Sequence, residues 1–539
     1  MIETIVIKNY KIFDDLIIEF DKGLNILVGD NDSGKSTILE VISILTSGNL
    51  NNYPLDRQLK PSFFNQTVRK NYIESIKRGS TPPPPKIILE AYLSKDDDPT
   101  FSGTNNELKK NCPGIRVTIE FDNSYASEYK QMIQEESIHD IPIELYKVTY
   151  SSFASATGKI LFRNSPIKSI LIDATHKNYS YMIDRFIGKS INDTLNGEEI
   201  ISLSKAYRQN KTDFKENSII ENINRRLAEY SPISHCRVSI GLQEERVDAW
   251  KNQMTIMVKD IPLENIGFGT QNIIKSELAL SNCSDSANII LFEEPENSLS
   301  HTNLAKLVSA IESTENKQIF ITTHSSYIAN RLNLNNLIFV NGSNVSTFRG
   351  LDTDTASFFK VLPGSDTLRI VIASKVILVE GPSDSLIIQR AYKDKKNKLP
   401  IQDGIDIIVT NGLTFKRFYE IAKTMNKSIA IVTDNDGDIE KLKGRYSKLM
   451  SDSNVIFSYE KNKDLKTLEP SLLSVNSIQG VPKESFVQLI YKGTSKPSTF
   501  DEVKDFMINN KTTWASRVFD AEQKINYPQY IEDVINEYC

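Results

Sequence analysis

The sequence predicts an α/β protein in two successive parts, each built on a mostly parallel sheet, with a polar helical stretch inserted in the first. Three observations carry that expectation. A short apolar strand, Leu24 to Val28, ends at Gly29 and leads through a glycine-containing turn into helical spacing from Thr37 onward. Apolar runs at Asn288 to Phe292 and Gln318 to Thr322 alternate with helical stretches, the signature of parallel strands. In the last third, Val376 to Val379 runs into Glu380-Gly381-Pro382-Ser383-Asp384, and Ile429 to Thr433 runs into Asp434-Asn435-Asp436.

Taken in order, Ile2 to Ile7 and Leu16 to Phe20 read as a strand pair around a turn at Asn9 to Asp14. A helix is expected to open near Gly34, since Thr37-Ile38-Leu39-Glu40-Val41-Ile42 places apolar residues at helical spacing. Thr81-Pro82-Pro83-Pro84-Pro85 breaks the chain before a strand over Lys86 to Leu93. From His176 to Tyr230 the chain is polar and helical, with Ile191, Leu195, Ile200, Ile201, Ile219, Ile220, Ile223 and Leu227 as expected buried positions. Strands follow at Met254 to Met257, Asn288 to Phe292 and Gln318 to Thr322, then closing strands at Leu337 to Asn341 and Val345 to Phe348. A connector over Leu351 to Leu368 leads to the acid-tipped strands, and Ile405 to Thr410, followed by Asn411-Gly412, supplies a strand between them. The expected domains are residues 1–175, the insertion 176–232, residues 233–370 as the return of the first domain, and 371–539. No repeat or sustained heptad pattern points to a long coiled-coil arm.

Composition bounds the function. At 539 residues, 39% hydrophobic and 25% charged, the chain has ordinary globular material for several domains. Its four cysteines, Cys112, Cys236, Cys283 and Cys539, lack paired spacing, which argues against a disulfide framework or a zinc site and fits a reducing cytoplasm. No apolar run approaches the roughly 18 residues of a membrane span, and the N-terminus lacks an export signal, so no membrane association is expected. With 64 basic against 69 acidic residues the net charge is −5, so nucleic-acid binding must come from local patches and bound cations. Candidate patches are Lys205, Arg208 and Lys211; Arg225 and Arg226; Lys393 to Lys398; and Lys441, Lys443, Arg445 and Lys448.

Gly29-Asp30-Asn31-Asp32-Ser33-Gly34-Lys35-Ser36, between strand and helix, matches the P-loop pattern. Its glycines let backbone N–H groups close on phosphate, Lys35 supplies charge, and Ser36 reaches Mg²⁺; Gly29, Asn31, Gly34, Lys35, Ser36 and Thr37 form the expected ATP set. Asn288 to Phe292 ends in Glu293-Glu294-Pro295-Glu296, where Glu293 is placed to hold Mg²⁺ through water and Glu294 to polarise attacking water. With His324 behind a further strand, these elements resemble the ATP-binding cassette heads of the RecF and SMC-like group. That resemblance implies a switch histidine at His324 and a nucleotide-proximal base at Lys11. It also implies a signature motif at Asn265-Ile266-Gly267-Phe268-Gly269-Thr270-Gln271 that contacts ATP across a dimer interface. Gly267 stands where that group has serine, so the trans contact lacks its hydroxyl.

Glu380, Asp384, Asp434 and Asp436 at two strand ends form an all-oxygen set suited to Mg²⁺ or Mn²⁺. Alternation along an extended segment would place Asp434 and Asp436 on one side. The arrangement resembles the Toprim domain of topoisomerases, primases and nucleases. A cassette head followed by Toprim is similar to the OLD (overcoming lysogenisation defect) family of ATP-linked endonucleases, which includes nuclease subunits of phage-defence systems such as Gabija. By resemblance, Glu469 in Thr467-Leu468-Glu469-Pro470 joins as a second-metal ligand, Lys511 neutralises charge on the scissile phosphate, and the helical insertion mediates dimerisation. Two ions would activate water and stabilise the leaving oxygen in an in-line displacement, with no protein nucleophile. The implied partners are DNA, with RNA open, a second copy in a homodimer or larger assembly, and a defence partner encoded nearby. The competing readings are an ATP-driven DNA-binding scaffold without cleavage and an RNA-directed nuclease such as one that cuts tRNA.

Overall fold

The structure, a computed structural model, describes all residues except 51–52, 95–98, 136, 155–164, 174–194, 230–238, 243–248, 251–253, 282–287, 298, 362–366, 411, 413 and 494–495. The expected positions Ile191 and Asn411 lie outside the described residues, as do Cys236 and Cys283; Cys112 and Cys539 are free thiols. The chain folds as two compact units that do not follow chain order. One comprises 1–25 and 34–323, the other 26–33 and 324–539.

In the first unit the strands Ile2–Tyr10 and Phe13–Glu19 form the expected hairpin, and Ile87–Leu93, Cys112–Phe121 and Tyr146–Ser152 extend it as an antiparallel sheet. Ser169–Asp173, Ile289–Glu293 and Gln318–Thr322 pair in parallel, each a continuous apolar run as buried parallel strands require. The helix Lys35–Ser47 buries Ile38, Leu39, Val41, Ile42, Ile44 and Leu45. Gln318 ties the hairpin to the parallel strands, accepting from the Ile2 amide (2.8 Å) and donating to the Ile2 carbonyl (2.7 Å).

The insertion contains two helices, Gly197–Lys215 and Ser218–Glu229, the first opened by an Asn196–Glu199 capping box. Its apolar residues do not form the expected core: Ile201 is 70% and Ile219 65% exposed, and Phe214 is also exposed. The predicted strand from Met254 shrinks to Met257–Val258, a two-residue pair with Ile261–Pro262.

In the second unit, Leu337–Asn341 pairs in parallel with residues 26–28 and antiparallel with Asn344–Thr347. The connector is helical, Thr353–Val361 and Thr367–Ile372, and the Lys427 ammonium caps the second helix through the carbonyls of Ile370 (2.6 Å), Val371 (2.8 Å) and Ala373 (2.5 Å). Burial pulls the Lys427 ammonium down to about 8.

Beyond it lies a four-stranded parallel sheet in the order Ile405–Val409, Lys375–Val379, Ile429–Thr433, Val455–Tyr459. Ile405–Val409 therefore sits at an edge, not between the acid-tipped strands, which are direct neighbours; the fourth strand was not expected from the sequence. Helices Pro382–Lys396, Leu468–Val475, Lys511–Asp520 and Gln529–Glu537 share a core with this sheet around Ile377, Val379, Leu472, Trp514 and Ile531.

Two polar clamps fix this unit. Arg390, fully buried, donates to the carbonyls of Val518 (2.5 Å), Ala521 and Gln523 (2.9 Å) and to Asp394 (2.8 Å), so the guanidinium fork closes the end of the Lys511–Asp520 helix. The Tyr538 hydroxyl accepts the Val376 amide (2.9 Å) and donates to the Ser428 carbonyl (2.7 Å), bridging the starts of the two acid-tipped strands. Replacing Arg390 strands several buried carbonyls and the Asp394 carboxylate. Arg390→Met is expected to destabilise the protein by about 3–5 kcal/mol in urea unfolding; a loss under about 1 kcal/mol would contradict the clamp.

Candidate functional site

Parallel register brings the acids together. Val379 pairs with Val432, so Glu380 emerges beside Thr433 and Asp434 at the carboxyl edge, where ligands bind in such sheets. The Glu380 carboxylate accepts the Thr433 hydroxyl and the Asp434 amide (3.1 Å). Pro382 opens the following helix, and Asp384, at the third helical position, turns its carboxylate back onto the Gly381 amide at 3.1 Å. Glu469 lies in the first turn of Leu468–Val475, 3% exposed, and accepts the Thr467 hydroxyl at 2.7 Å.

The electrostatics follow from burial and like charge. Burial, then Asp384, Glu380, Glu469 and Asp436, push the Asp434 carboxyl up to about 9. Burial, then Glu380, raise Asp384 to about 7, with Glu469 adding to this and the Gly381 N–H opposing it. The buried Tyr530 phenol, which the sequence did not single out, is raised by burial, with the charges of Asp434 and Asp384 adding to the shift. A hard, oxygen-seeking divalent cation suits this donor chemistry, because it would let Asp384 and Asp434 ionise. Among the described residues, no three acidic, His or Cys groups stand in ion-holding geometry; Glu380 and Glu469 turn to threonine hydroxyls instead.

Asp436 departs from the expected alternation. The chain turns after Thr433, Asp436 is exposed with φ 51°, and Gly437 follows at φ 80°. Asn435, between the acids, is the residue that points inward. Asp438 caps the helix Ile439–Met450 by accepting the Lys441 amide at 3.0 Å, a structural role. Lys511 is exposed at the start of its helix, and no hydrogen bond or ion pair joins it to the carboxylates among the described residues.

In the first unit, Gly34 has φ 105°, and a Cβ there would lie 2.3 Å from the Phe13 ring, so only glycine fits. The helix from Lys35 has no side-chain cap, so the first-turn amides of Lys35, Ser36 and Thr37 form the kind of N-terminus that binds phosphate. Lys35 is buried, Ser36 exposed, and Lys11 pairs with Glu40 of this helix at 2.6 Å. Glu293 ends its strand. Glu294, at φ 44°, is held by its amide on the Thr322 carbonyl (3.0 Å) and by Asn297 on its carboxylate (2.7 Å). In the second unit, a Cβ at Gly29 would meet the Val340 carbonyl at 2.2 Å; Asn31 and His324 are exposed. Gly267 caps the helix Phe268–Leu280 at φ −56°, with nothing within 4 Å of where a Cβ would sit.

An ATPase element and a compact parallel domain with acid-tipped strand ends thus occupy one chain. Comparison with known families finds both kinds of domain. Residues 372–436 match the overcoming lysogenization defect protein-like Toprim domain, 1–254 the AAA ATPase domain, and 257–330 the AAA domain described as putative AbiEii toxin of a type IV toxin–antitoxin system. The protein carries an OLD-like Toprim domain behind AAA ATPase domains. Endonuclease GajA of Bacillus cereus strain VD045 is 23% identical over 83% of this chain and 77% of its own. The strain HuB5-5 Endonuclease GajA is 23% identical over 95% and 84%. Among solved structures, the SMC head domain from Thermotoga maritima aligns over 64% of this chain and 98% of its own, at 13% identity and a TM-score of 0.29. Among the described residues no helix is long and apolar enough to cross a membrane.

Two outcomes test this geometry. Because Asp434 and Asp384 hold protons that the unfolded chain releases, cation-free protein is expected to lose stability as pH rises from about 4 through about 9. Asp434→Asn should then stabilise cation-free protein by about 1–2 kcal/mol near pH 8 and weaken the melting shift given by Mg²⁺ or Mn²⁺; a destabilised variant with an intact shift would contradict the repulsion. Gly267→Ser is expected to change stability by only a few tenths of a kcal/mol and to speed ATP hydrolysis, measured by phosphate release. Unchanged turnover would show that the missing hydroxyl does not limit it.

Proposed function

We propose that the protein is an ATP-regulated, divalent-cation-dependent endonuclease that cuts or nicks DNA. The observation that carries this reading is the gathering of half-buried Glu380, Asp384 and Asp434 with buried Glu469 at one sheet edge, a like-charge arrangement that cations would relieve. The OLD-like Toprim match and the endonuclease relatives support it.

Glu380, Asp384, Asp434, Asp436 and Glu469 would hold the ions, two Mg²⁺ or Mn²⁺ by the family resemblance. Such a pair supplies an activated water and charge stabilisation of the leaving oxygen. The chain's own part is positioning: Thr433 and Thr467 orient Glu380 and Glu469, and the Gly381 amide orients Asp384. Lys511 would offset phosphate charge. In the head, Gly29, Asn31, Gly34, Lys35, Ser36 and Thr37 would bind ATP with Mg²⁺, Ser36 and Glu293 on the ion, Glu294 on water and His324 on the γ-phosphate. ATP binding there governs cleavage.

The exposed Ile201, Phe214 and Ile219 on the insertion support a homodimer or larger homo-oligomer built through it. The family resemblance further supports a cytoplasmic role in antiviral defence with a partner encoded nearby.

A cleavage panel over DNA and RNA forms, with Mg²⁺ or Mn²⁺ and with or without ATP, tests the proposal. Wild type is expected to cut DNA. Glu380→Ala and Asp434→Ala should lower the rate by at least about 10³-fold with ATP binding intact, and Lys35→Ala should change only the ATP response. Cutting by both carboxylate variants at the wild-type rate would remove the site assignment. Nucleotide-dependent DNA binding without cleavage would favour the scaffold, and cutting confined to RNA an RNA-directed nuclease.

A further inference from the structure

The segment between the strand Val455–Tyr459 and the helix that carries Glu469 contains three exposed lysines, Lys461, Lys463 and Lys466. It is held in place from the acid turn. The Asn435 side-chain amide, 1% exposed, donates to the carbonyls of Glu460 (2.8 Å) and Asn462 (2.9 Å), while its oxygen accepts the Gly437 amide (2.8 Å). From the same turn, the Asp436 amide donates to the Lys466 carbonyl at 3.2 Å. One buried side chain and one backbone bond thus join Asp434-Asn435-Asp436 to the lysine segment.

Lys466 lies flat on that turn. A Cβ added at Gly437 would come within 3.1 Å of its Cε and 3.3 Å of its Cδ. Its stem therefore packs against Gly437, next in sequence to Asp436, and among the described residues its ammonium makes no ion pair. A cluster of carboxylates repels a polyanion, so a nucleic acid can approach this edge only where cations face its phosphates. Lys466 is a cation whose segment is tied to the acid turn itself, through Asn435 and the Asp436 amide.

We propose that Lys466 contacts a backbone phosphate of the substrate at the rim of the Toprim site, and that Asn435 is the positioning residue that holds its segment in place. This deepens the nuclease reading and rests on it. The test uses the full-length protein and fluorescein-labelled duplex DNA. Anisotropy in Ca²⁺ gives the salt dependence of binding, and cleavage is followed separately in Mg²⁺ or Mn²⁺.

Lys466→Ala is expected to flatten the log–log salt slope by about 1 and to lower kcat about tenfold or more. Lys466→Arg should restore the slope. Lys504→Ala, which removes a cation already paired with Asp501 at 2.5 Å, should leave slope and rate unchanged. Asn435→Ala should reproduce the Lys466→Ala losses, and the double variant should add little to them. A wild-type slope and rate in Lys466→Ala would overturn the proposal. If wild type fails to cut while Lys466→Ala still flattens the slope, the nuclease reading falls and the phosphate contact stands.

Discussion

The constraint on which the C-terminal domain depends is that one sheet edge gathers the half-buried carboxylates of Glu380, Asp384 and Asp434 with buried Glu469. Parallel pairing of Lys375–Val379 with Ile429–Thr433 makes this unavoidable, because strands that start level also end level and both end in acid. Desolvation and mutual repulsion then oppose ionisation of Asp384 and Asp434. Neutral donors manage the repulsion locally: Thr433 and the Asp434 amide on Glu380, the Gly381 amide on Asp384, Thr467 on Glu469. None of these donors carries charge, so the cluster remains a binding potential for cations and does not become a closed salt-bridge network.

The glycines of the nucleotide segments contrast with the glycine of the signature motif. Gly29 and Gly34 stand where any side chain would strike the Val340 carbonyl or the Phe13 ring, so sterics alone dictate them. Gly267 has open space and ordinary backbone angles, so nothing in the fold requires it. A serine would therefore fit there without strain.

The acid-tipped strands, the P-loop context and the paired glutamates after Ile289–Glu293 were legible in the sequence because each combines an apolar run with an abrupt change of chemistry at its end. What was not legible depends on register or on turns. Thr433 matters only because Val379 pairs with Val432, and Asn435 points inward only because the chain leaves the strand at Thr433; strand alternation assigns the inward position to the wrong residue. Tyr530, which feels the charge of these acids, comes from a helix nearly a hundred positions downstream, with no local pattern to announce it. The insertion misled in another way: helical periodicity predicts a buried stripe but cannot say whether the burying surface lies on the same chain, and Ile201 and Ile219 find none among the described residues.

The Tyr538 bridge bears on the timing of assembly. Its hydroxyl binds the Val376 amide across 162 residues of chain. During synthesis, both acid-tipped strands therefore leave the ribosome well before the residue that locks their starting edge, and a contact so distant in sequence forms late. A half-made chain therefore carries the carboxylates before the frame that aligns their strands is complete.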